Sequence, residues 1–379
     1  MSSNVQDMRG WPSPFANAAY QPDTSSRRVR YGALQVHNLR RQAAASSLVP
    51  SIIQGLRAED RELPSLLLWN DQGLSLFNAV LDSAEYYLAN KEWALLRNAV
   101  HNIVASISSG DRLVELGAGN MKKTALILRI LQSQRKYIHY IACDVDRAAL
   151  QRGLRNLQAI FPASTSSIRI QGLVATYEDC AAWLQRNPGS GHTSLMWLGN
   201  SLANFPPPEA SEYIRSFLST GASMIIALDG CQDHEQIARA YEGPSNQKFV
   251  LNGLQHANDV LDTDAFDARN WSFLGRWNPE LWMHESFYAA ERDLTLKIGR
   301  ETFVFRKGET IRSIRSGKWP KPKVVDICRE AGGDVVDWWM NPDESYGKSA
   351  TLMGYLAHVL IDSFSRLGVY LLRKSSEYE

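Results

Sequence analysis

Glu115, Gly117, Gly119 and Asp144 have residue types and a spacing that suit ligand binding. Glu115-Leu116-Gly117-Ala118-Gly119 ends a short apolar run, and Asp144 ends the next apolar run along the chain. Glycine allows a sharp turn and a close approach of the backbone to a ligand. A carboxylate at the end of the following strand can accept hydrogen bonds from both hydroxyls of a ribose. The pattern therefore predicts a site for a ligand that contains a ribose.

The glycine loop has two interpretations. A dinucleotide site needs G-x-G-x-x-G, but Lys122 occupies the third glycine position, so that fingerprint fails. The alternative pattern, E-x-G-x-G, resembles the first motif of class I S-adenosylmethionine-dependent methyltransferases. This resemblance implies that Glu115 orients the loop and helps to hold the amino acid end of the cofactor. It predicts S-adenosyl-L-methionine as the cofactor.

The elements around the loop must place it at an edge of a sheet. Short apolar runs alternate with helical patterns at Lys122–Ser133 and Arg147–Ile160, the first of which has a continuous apolar face. The predicted strands are Asp111–Leu116, Tyr137–Cys143, Ile168–Val174, Ser194–Leu198, Met224–Leu228 and Leu367–Leu372. This alternation is typical of a parallel sheet with helices on its faces. The predicted fold class is α/β, a Rossmann-like, doubly wound class I methyltransferase sheet with an accessory substrate-binding α+β lobe.

Three parts are predicted along the chain. Residues 1–30 are rich in Ser, Pro, Asn and Gln and are expected to form a disordered tail. Residues 90–234 plus 319–379 are expected to form the S-adenosylmethionine-binding domain, and residues 31–89 plus 235–318 the accessory lobe. The helical patterns in or next to the lobe are Leu39–Arg57, Leu66–Val104 and Phe249–Leu261. The strand patterns in the lobe are Leu294–Ile298 and Glu301–Phe305.

A narrower resemblance rests on seven segments that together are far more specific than the glycine loop alone. They are Leu68–Phe77, Glu85–Leu88, Leu113–Thr124, Ala142–Asp146, Ala175–Asp179, Leu198–Asn204 and Arg239–Tyr241. In these segments the chain resembles the S-adenosylmethionine-dependent amino acid Nα-methyltransferases. This family includes the histidine Nα-methyltransferases of ergothioneine biosynthesis and the fungal dimethylallyltryptophan N-methyltransferases. The resemblance covers most of residues 39–319.

The resemblance implies roles by position. The residues expected to line the cofactor pocket are Glu115, Gly117, Ala118, Gly119, Lys123, Asp144, Val145, Thr176 and Tyr177. Tyr86, Asn204 and Tyr241 match positions that hold the α-amino and α-carboxylate groups of an amino acid, and they are the predicted catalytic residues. Asn offers both a donor and an acceptor, and a Tyr hydroxyl can serve as either. From residue types alone, the two tyrosines could instead be core residues and Asn204 a turn or cap residue.

Two departures from the family's histidine enzymes concern the substrate side chain. Those enzymes read the imidazole with a Tyr in the first segment and a Glu-x-Ser, whereas Trp69 and Ile314-Arg315-Ser316 stand there in this chain. Ile cannot accept a hydrogen bond from an imidazole N–H. Met283 matches an adaptable pocket methionine. The predicted substrate-binding residues are therefore Trp69, Tyr86, Asn204, Tyr241, Met283, Ile314 and Ser316, although a misalignment around Ile314 is an open alternative.

These residues predict methylation of the α-amino group of an aromatic amino acid, tryptophan or a prenylated tryptophan, in secondary metabolism. One alternative is a histidine Nα-methyltransferase of the ergothioneine pathway with an unusual imidazole pocket. Another is a non-catalytic cofactor-binding regulator or scaffold. Tyr86, Asn204 and Tyr241 argue against the scaffold, because a scaffold has no need to bind a zwitterion.

Composition and charge limit the classes of binding partner that we expect. The 379 residues are 44% hydrophobic and 21% charged, with a formal net charge of +1. This balance gives no electrostatic reason to expect nucleic acid or an anionic membrane, and no apolar run of about 18 residues predicts a membrane span. The four Cys are far apart and lack metal-ligand spacing, which favours a reducing, cytoplasmic location and no metal. We expect a monomer or homodimer that binds a small amino acid, with Lys318 to Lys323 as a solvated basic loop.

Overall fold

The computed structural model describes residues 34–40, 44–341 and 367–375. The α-helices within these ranges are α1 (Ala44–Arg57), α2 (Asp71–Leu81), α3 (Tyr87–Ala105), α4 (Lys122–Ser133), α5 (Arg147–Ile160), α6 (Tyr177–Arg186), α7 (Pro207–Leu218), α8 (His234–Glu242), α9 (Pro244–Leu261) and α10 (Lys321–Glu330). Short 3₁₀ helices span Ser65–Leu68, Ser201–Asn204 and Ala268–Asn270. The predicted tail, residues 1–30, lies outside the described residues.

The strands complete the architecture. They are β1 (Gln35–Asn38), β2 (Arg112–Leu116), β3 (Ile138–Asp144), β4 (Ile168–Val174), β5 (Thr193–Trp197), β6 (Ser223–Leu228), β7 (Trp271–Asn278), β8 (Met283–Ala290), β9 (Leu294–Ile298), β10 (Glu301–Phe305), β11 (Thr310–Gly317), β12 (Gly333–Met340) and β13 (Gly368–Lys374). Strands β9 and β10 form a separate antiparallel pair.

The main sheet has eight strands in the order β1-β4-β3-β2-β5-β6-β13-β12. The first six strands in this order run parallel, and β13 is antiparallel to both of its neighbours. From β2 the chain moves outward through β3 and β4, then returns to β5 on the other side of β2. In such sheets, ligands bind beyond the carboxyl ends of the strands where the order reverses. The predicted doubly wound α/β sheet is confirmed.

Alternating side chains of the central strands fill two cores, one on each face of the sheet. Leu113 and Tyr140 belong to one core, which also takes apolar side chains from α3, α4 and α5. Val114 and Ile141 belong to the other, together with side chains from α6, α7 and α10. Because side chains alternate along a strand, the same five-residue strand β2 supports both layers. The glycine loop that follows β2 is thus anchored from both faces.

A second sheet, β11-β8-β7, is antiparallel and lies outside the sequence prediction. Its register pairs Ser316 with His284 and Ile314 with Ser286, so these four side chains share one face. Met283 and Glu285 point to the opposite face. Polar residues within β7 and β8 weaken the apolar pattern of these strands, which explains why only β9 and β10 were expected in residues 235–318.

Other differences concern boundaries. The helical pattern predicted over Leu66–Val104 is divided between a 3₁₀ helix, α2 and α3, and Asn70 caps α2 by accepting from the N–H of Gly73 at 2.8 Å. Strand β1, which falls in the predicted lobe, pairs with β4 in the main sheet. The described residues belong to one compact unit, and their division into a domain and a lobe stays a prediction. None of the described helices is both long and apolar enough to span a membrane.

Candidate active site

The glycine loop turns back onto the end of β3. The N–H groups of Gly117 and Ala118 both donate to the carbonyl of Cys143, at 2.9 and 3.1 Å. Gly117 and Gly119 have φ values of 67° and 52°, in the left-handed region that favours glycine. A Cβ atom on Gly117 would lie 3.3 Å from the hydroxyl of Tyr177. The loop therefore leaves space beside its backbone that a side chain would fill.

Asp144 ends β3 and faces this loop. Its Oδ2 accepts from the N–H of Gly119 at 3.0 Å, and its Oδ1 accepts from the N–H of Asp146 at 3.2 Å. Burial raises the pKa of this carboxyl above its usual value, and the backbone N–H of Gly119 opposes that shift. Each oxygen has a further lone pair, so the carboxylate can still accept from a vicinal diol. Val145 follows at the same edge, and its carbonyl accepts from Arg40 at 3.2 Å.

Glu115 lies inside the protein below the loop. Its Oε2 accepts from the Thr124 hydroxyl at 2.6 Å and from the Tyr140 hydroxyl at 2.5 Å. Burial raises the pKa of this carboxyl to about 7, although both hydroxyls lower it. Because Thr124 is on α4 and Tyr140 on β3, Glu115 connects the two elements that flank the loop. These contacts allow Glu115 to orient the loop, and its role in holding the cofactor stays a prediction.

Lys123, in the first turn of α4, pairs with a buried acid that the sequence analysis missed. Its Nζ lies 2.7 Å from Oε2 of Glu92, a residue whose side chain is 2% exposed. Oε1 of Glu92 accepts from the N–H of Gly199 at 2.8 Å, directly after β5. Glu92 thus connects α4 to the loop after β5. Only its burial on α3, which the helical pattern did not reveal, distinguishes it from a surface glutamate.

Thr176 and Tyr177 stand at the start of α6, beyond the end of β4. Thr176 forms a capping box with Asp179, which satisfies backbone N–H groups at the helix start. The Tyr177 ring packs on Trp197 with centroids 4.4 Å apart, and burial raises its pKa to about 12. The predicted cofactor residues therefore meet at the carboxyl ends of β2, β3 and β4, a region that we call the loop edge.

The chemistry of the loop edge fits S-adenosylmethionine. One carboxylate, Asp144, is available to a ribose. Lys123 is close to the loop in sequence, and its charge is compensated by the ion pair with Glu92. A pyrophosphate would call for backbone and cationic donors aimed at it, whereas this cofactor carries no phosphate.

A cleft that is partly open to solvent lies beside the loop edge; we call it the aromatic cavity. It is lined by Phe77, Tyr86, Gly199, Asn200, Asn204, Tyr241, Asn246, Phe249, His284, Ser286, Ile314, Arg315 and Ser316. Five of the predicted substrate residues are in this set, namely Tyr86, Asn204, Tyr241, Ile314 and Ser316. Gly199 connects the cavity to the loop edge, because its N–H donates to Glu92, whose other carboxylate oxygen lies 2.7 Å from Nζ of Lys123.

The polar end of the cavity is a cluster of hydroxyls. The Tyr241 hydroxyl lies 3.5 Å from that of Tyr86, 3.1 Å from Oγ of Ser316 and 2.8 Å from Nζ of Lys318. Burial raises the pKa of both tyrosines above the usual range, so both hydroxyls keep their protons at neutral pH. Lys318, expected in a solvated loop, is 0% exposed, which corrects that prediction. The helix α10 begins three residues later, at Lys321.

The apolar end differs from the sequence prediction in two residues. Phe77, Phe249 and Ile314 line it. Trp69 does not, because its ring packs behind the wall, with its centroid 5.1 Å from those of both phenylalanines. Met283 is also absent from the wall, because it points to the opposite face of β8 and is fully buried in the second core. Because side chains alternate along β8, the next residue, His284, faces the cavity instead.

His284 is a cavity residue that the sequence analysis did not identify. Its Nε2 lies 3.1 Å from Oε1 of Glu242, and its ring stacks obliquely on Tyr241 at 5.3 Å. Burial lowers its pKa, so the ring is neutral and Nε2 donates to the carboxylate. Its Nδ1 is buried without a hydrogen-bond partner among the described residues. A scattered histidine in a strand gives no sequence signal for this position.

Comparisons with known proteins agree with this geometry. A family described as histidine-specific, SAM-dependent methyltransferase matches residues 48–352. The chain is 92% identical to N-methyltransferase fsqC of Aspergillus fumigatus over 365 residues, covering 96% of this chain and 100% of that protein. It is 30% identical to 4-dimethylallyltryptophan N-methyltransferase easF of the same species, covering 80% and 93% of the two chains. It is 31% identical to Ergothioneine biosynthesis protein 1 of Neurospora crassa, covering 86% of this chain and 37% of that protein.

The family match spans well over half of the chain, and it coincides with the loop edge and the aromatic cavity. The cofactor is S-adenosyl-L-methionine, as the E-x-G-x-G loop predicts. In the described ranges, no cluster of three or more His, Cys, Asp or Glu side chains could hold a metal ion. The chain belongs to the family of histidine-specific, S-adenosylmethionine-dependent methyltransferases and is an N-methyltransferase.

Proposed function

We propose that this enzyme methylates the α-amino group of a free aromatic amino acid. The observation that carries the proposal is the two-ended aromatic cavity. Hydroxyl and amide groups of Tyr86, Tyr241 and Asn204 form one end, and Phe77, Phe249 and Ile314 form the other. An aromatic amino acid has the same division into a zwitterionic head and a flat apolar side chain.

The head of the substrate would lie at the polar end. Asn204, the last residue of a 3₁₀ helix that follows β5, offers a donor and an acceptor there. Tyr241 and Tyr86 offer hydroxyls that burial keeps protonated. Hydrogen bonds to a charged group contribute about 1.5–3 kcal/mol each, so a few such contacts are enough to select and orient an amino acid.

The side chain of the substrate would lie against the two phenylalanines. Ile314 stands where the family's histidine enzymes have the Glu of Glu-x-Ser, so an imidazole N–H facing it would lose a hydrogen bond. An unsatisfied buried donor costs about 1–3 kcal/mol. Tryptophan or a prenylated tryptophan avoids this cost and gains apolar contact. The similarity to 4-dimethylallyltryptophan N-methyltransferase easF supports the same class of substrate.

The reaction needs alignment more than acid–base groups. Bound S-adenosylmethionine supplies an electrophilic methyl group. Tyr86 would accept a hydrogen bond from the neutral α-amine, which leaves the nitrogen lone pair free to attack. Contacts from Asn204 and Tyr241 to the carboxylate would fix the nitrogen in line. Such alignment can supply roughly 7–11 kcal/mol of barrier reduction.

Mass-resolved methyl transfer tests the proposal. Purified enzyme with S-adenosylmethionine would be given histidine, tryptophan, 4-prenylated tryptophan and tyrosine in separate reactions. We expect the aromatic amino acids to gain methyl groups, with kcat/KM above that of histidine. A preference for histidine would overturn the substrate assignment and identify a histidine Nα-methyltransferase. Cofactor binding by calorimetry without turnover of any amino acid would identify a non-catalytic regulator instead.

The remaining expectations stay predictions. These are a cytoplasmic location, a monomeric or homodimeric state and the absence of a nucleic acid partner. Size-exclusion chromatography with light scattering would measure the oligomeric state directly.

A further inference from the structure

Behind the polar end of the aromatic cavity lies an ion pair that the proposed reaction does not use. Lys318 Nζ lies 3.1 Å from Oδ2 of Asp229, and the two side chains are 0% and 1% exposed. Asp229 follows β6 directly and also accepts from the Tyr87 hydroxyl at 2.5 Å and the N–H of Cys231 at 3.0 Å. Replacing a buried ion pair by apolar side chains is often neutral or stabilising. Stability alone therefore does not explain the pair.

All three N–H groups of the Lys318 ammonium have hydrogen-bond partners within the protein. An ammonium group has three donors and no acceptor. Lys318 directs them to Asp229, to the Tyr241 hydroxyl at 2.8 Å and to Oγ of Ser316 at 3.0 Å. Lys318 consequently does not reach into the cavity with a free N–H, and any effect on a ligand must pass through the two hydroxyls.

The direction of the Ser316 hydroxyl follows from its two donors. Oδ1 of Asn200 accepts from the backbone N–H of Asp229 at 2.9 Å, so the orientation of this amide is fixed. Its Nδ2 then donates to Oγ of Ser316 at 3.3 Å. With Asn200 and Lys318 both donating, the two lone pairs of Ser316 are occupied. Its own hydrogen goes to the Tyr241 hydroxyl, 3.1 Å away.

The same count of donors and lone pairs gives the orientation of the Tyr241 hydroxyl and then of the Tyr86 hydroxyl. Tyr241 accepts from Lys318 and Ser316, so its hydrogen can go only to Tyr86, 3.5 Å away, or into the cavity. Tyr86 cannot donate back to an oxygen whose lone pairs are occupied. Its hydrogen therefore also faces the cavity, while one of its lone pairs stays available to an amine. Ser316 thus donates to Tyr241, and the hydroxyls of Tyr241 and Tyr86 are the two donors left for a ligand.

We infer that Lys318, paired with Asp229, is a positioning residue that acts directly and through Ser316 to orient the hydroxyls of Tyr241 and Tyr86 as donors and makes this subsite selective for a carboxylate. This inference rests on the proposed function, because it assigns the polar end to the head of an amino acid. A carboxylate accepts from both hydroxyls, whereas a carboxamide places its N–H₂ group against Tyr241, which cannot accept, or against the Tyr86 lone pair that the α-amine needs. The uncharged amide of the same amino acid should therefore be rejected.

The test compares each amino acid with its own carboxamide. For wild-type enzyme we expect kcat/KM for the acid to exceed that for the amide by about 100-fold, since unpaired polar groups cause strong rejection. In the double variant Lys318→Met/Asp229→Asn, which leaves no buried unpaired charge, we expect this ratio to fall at least about tenfold. The Kd for S-adenosylmethionine, measured by calorimetry, should change less than about twofold because the pair lies outside the loop edge.

A matched control separates positioning from loss of structure. Lys136 donates to the carbonyls of Val104 and Ile107 at 2.8 and 2.6 Å, away from the cavity. Lys136→Met should lower stability and leave the acid-to-amide ratio unchanged. Ser316→Ala is a milder second variant, usable if the double variant does not fold, and it should lower the ratio in the same direction.

Two results would contradict the inference. Wild-type enzyme that accepts acid and amide equally would overturn it, whichever variants fold. So would a folded variant whose activity on acid and amide falls by the same factor. These results leave the proposed function standing, whereas wild-type enzyme that methylates no amino acid would overturn both.

Discussion

The loop edge and the aromatic cavity are built from different kinds of interaction. At the loop edge, backbone N–H groups of Gly117 and Ala118 share one carbonyl, and Asp144 holds Gly119. In the cavity, side chains from distant segments hold one another, as Lys318 holds Tyr241. A backbone cradle is sensitive to an added Cβ atom. A side-chain network is sensitive to a single lost donor or acceptor.

This difference separates two tasks. Glycines, one carboxylate and a helix start are enough to hold a nucleoside, and many sequences around them would serve. The choice of methyl acceptor depends on which side chains meet in the cavity. Changes at the loop edge should therefore weaken cofactor binding for every substrate, while changes in the cavity should alter the ranking of substrates.

The largest effect is expected for Gly117→Ala. The φ of 67° strains any residue that has a side chain, and an added Cβ atom would occupy the space beside the loop, 3.3 Å from the Tyr177 hydroxyl. A left-handed alanine costs about 1–2 kcal/mol, and displacement of the cofactor adds to this, so kcat/KM should fall about 1,000-fold. Calorimetry with S-adenosylmethionine should show the loss as weaker binding. Gly299→Ala, at a φ of 60° with open space around it, is the control and should keep full activity.

The next effect concerns the pH dependence of stability at the loop edge. The pKa of Glu115 rises to about 7 in the folded protein from an ordinary value of 4.5. Below pH 4.5 the carboxyl is protonated in both states. Between pH 4.5 and 7 only the unfolded state ionises, so stability falls as pH rises, by about 3 kcal/mol in total. Above pH 7 the loss is complete and constant.

Glu115→Gln removes this ionisation and keeps an acceptor for Thr124 and Tyr140. Urea unfolding at pH 5 and pH 7.5 should show a smaller loss of stability in the variant than in the wild type. Glu59→Gln, at an exposed position, should leave the difference unchanged. Equal losses in wild type and Glu115→Gln would show that the buried carboxyl is not the cause.

Within the cavity, Tyr241→Phe should lower kcat/KM by about 100-fold, because a hydrogen bond to a charged group contributes about 1.5–3 kcal/mol. The loss should fall on the amino acid and not on cofactor binding. Tyr288→Phe is the matched control. Its hydroxyl donates to the carbonyl of Val250 and accepts from Ser313, both at 2.9 Å, outside the cavity wall. An unchanged KM for the amino acid in Tyr241→Phe would contradict the assigned head subsite.

The two regions also differ in how far the sequence predicts them. The loop edge is contiguous in sequence, and the period of its strands and helices places Gly117 and Asp144 together without tertiary information. Helix α4 and strand β4 begin and end where the patterns predict. Lys318, in contrast, stands in a basic segment that locally suggests solvent. Its burial depends on tertiary contacts, among them the ion pair with Asp229, which follows β6 of the main sheet.

Strand parity and packing explain the residues that the resemblance misplaced. Met283 and His284 are adjacent, so a strand turns one toward the core and the other toward the cavity, and the sequence of β8 does not reveal which. Trp69 lies at the matching position, but Phe77 and Phe249 intervene between its ring and the cavity. Positions carried over from a family identify a neighbourhood, while the wall itself is set by tertiary packing.

The smallest effect, about tenfold, is expected for Ile314→Glu, and it is a change of preference. A carboxylate at this position can accept from an imidazole N–H, and a recovered hydrogen bond of about 1.5 kcal/mol corresponds to roughly tenfold in rate. The ratio of kcat/KM for histidine to that for tryptophan should rise by this factor. Ile314→Leu keeps the apolar surface and should leave the ratio unchanged. Because Ile314 lines the apolar end of the cavity and is not part of the loop edge, the Kd for S-adenosylmethionine should be the same in both variants. A change in that Kd, or a ratio that does not move, would show that the side chain of the substrate lies elsewhere.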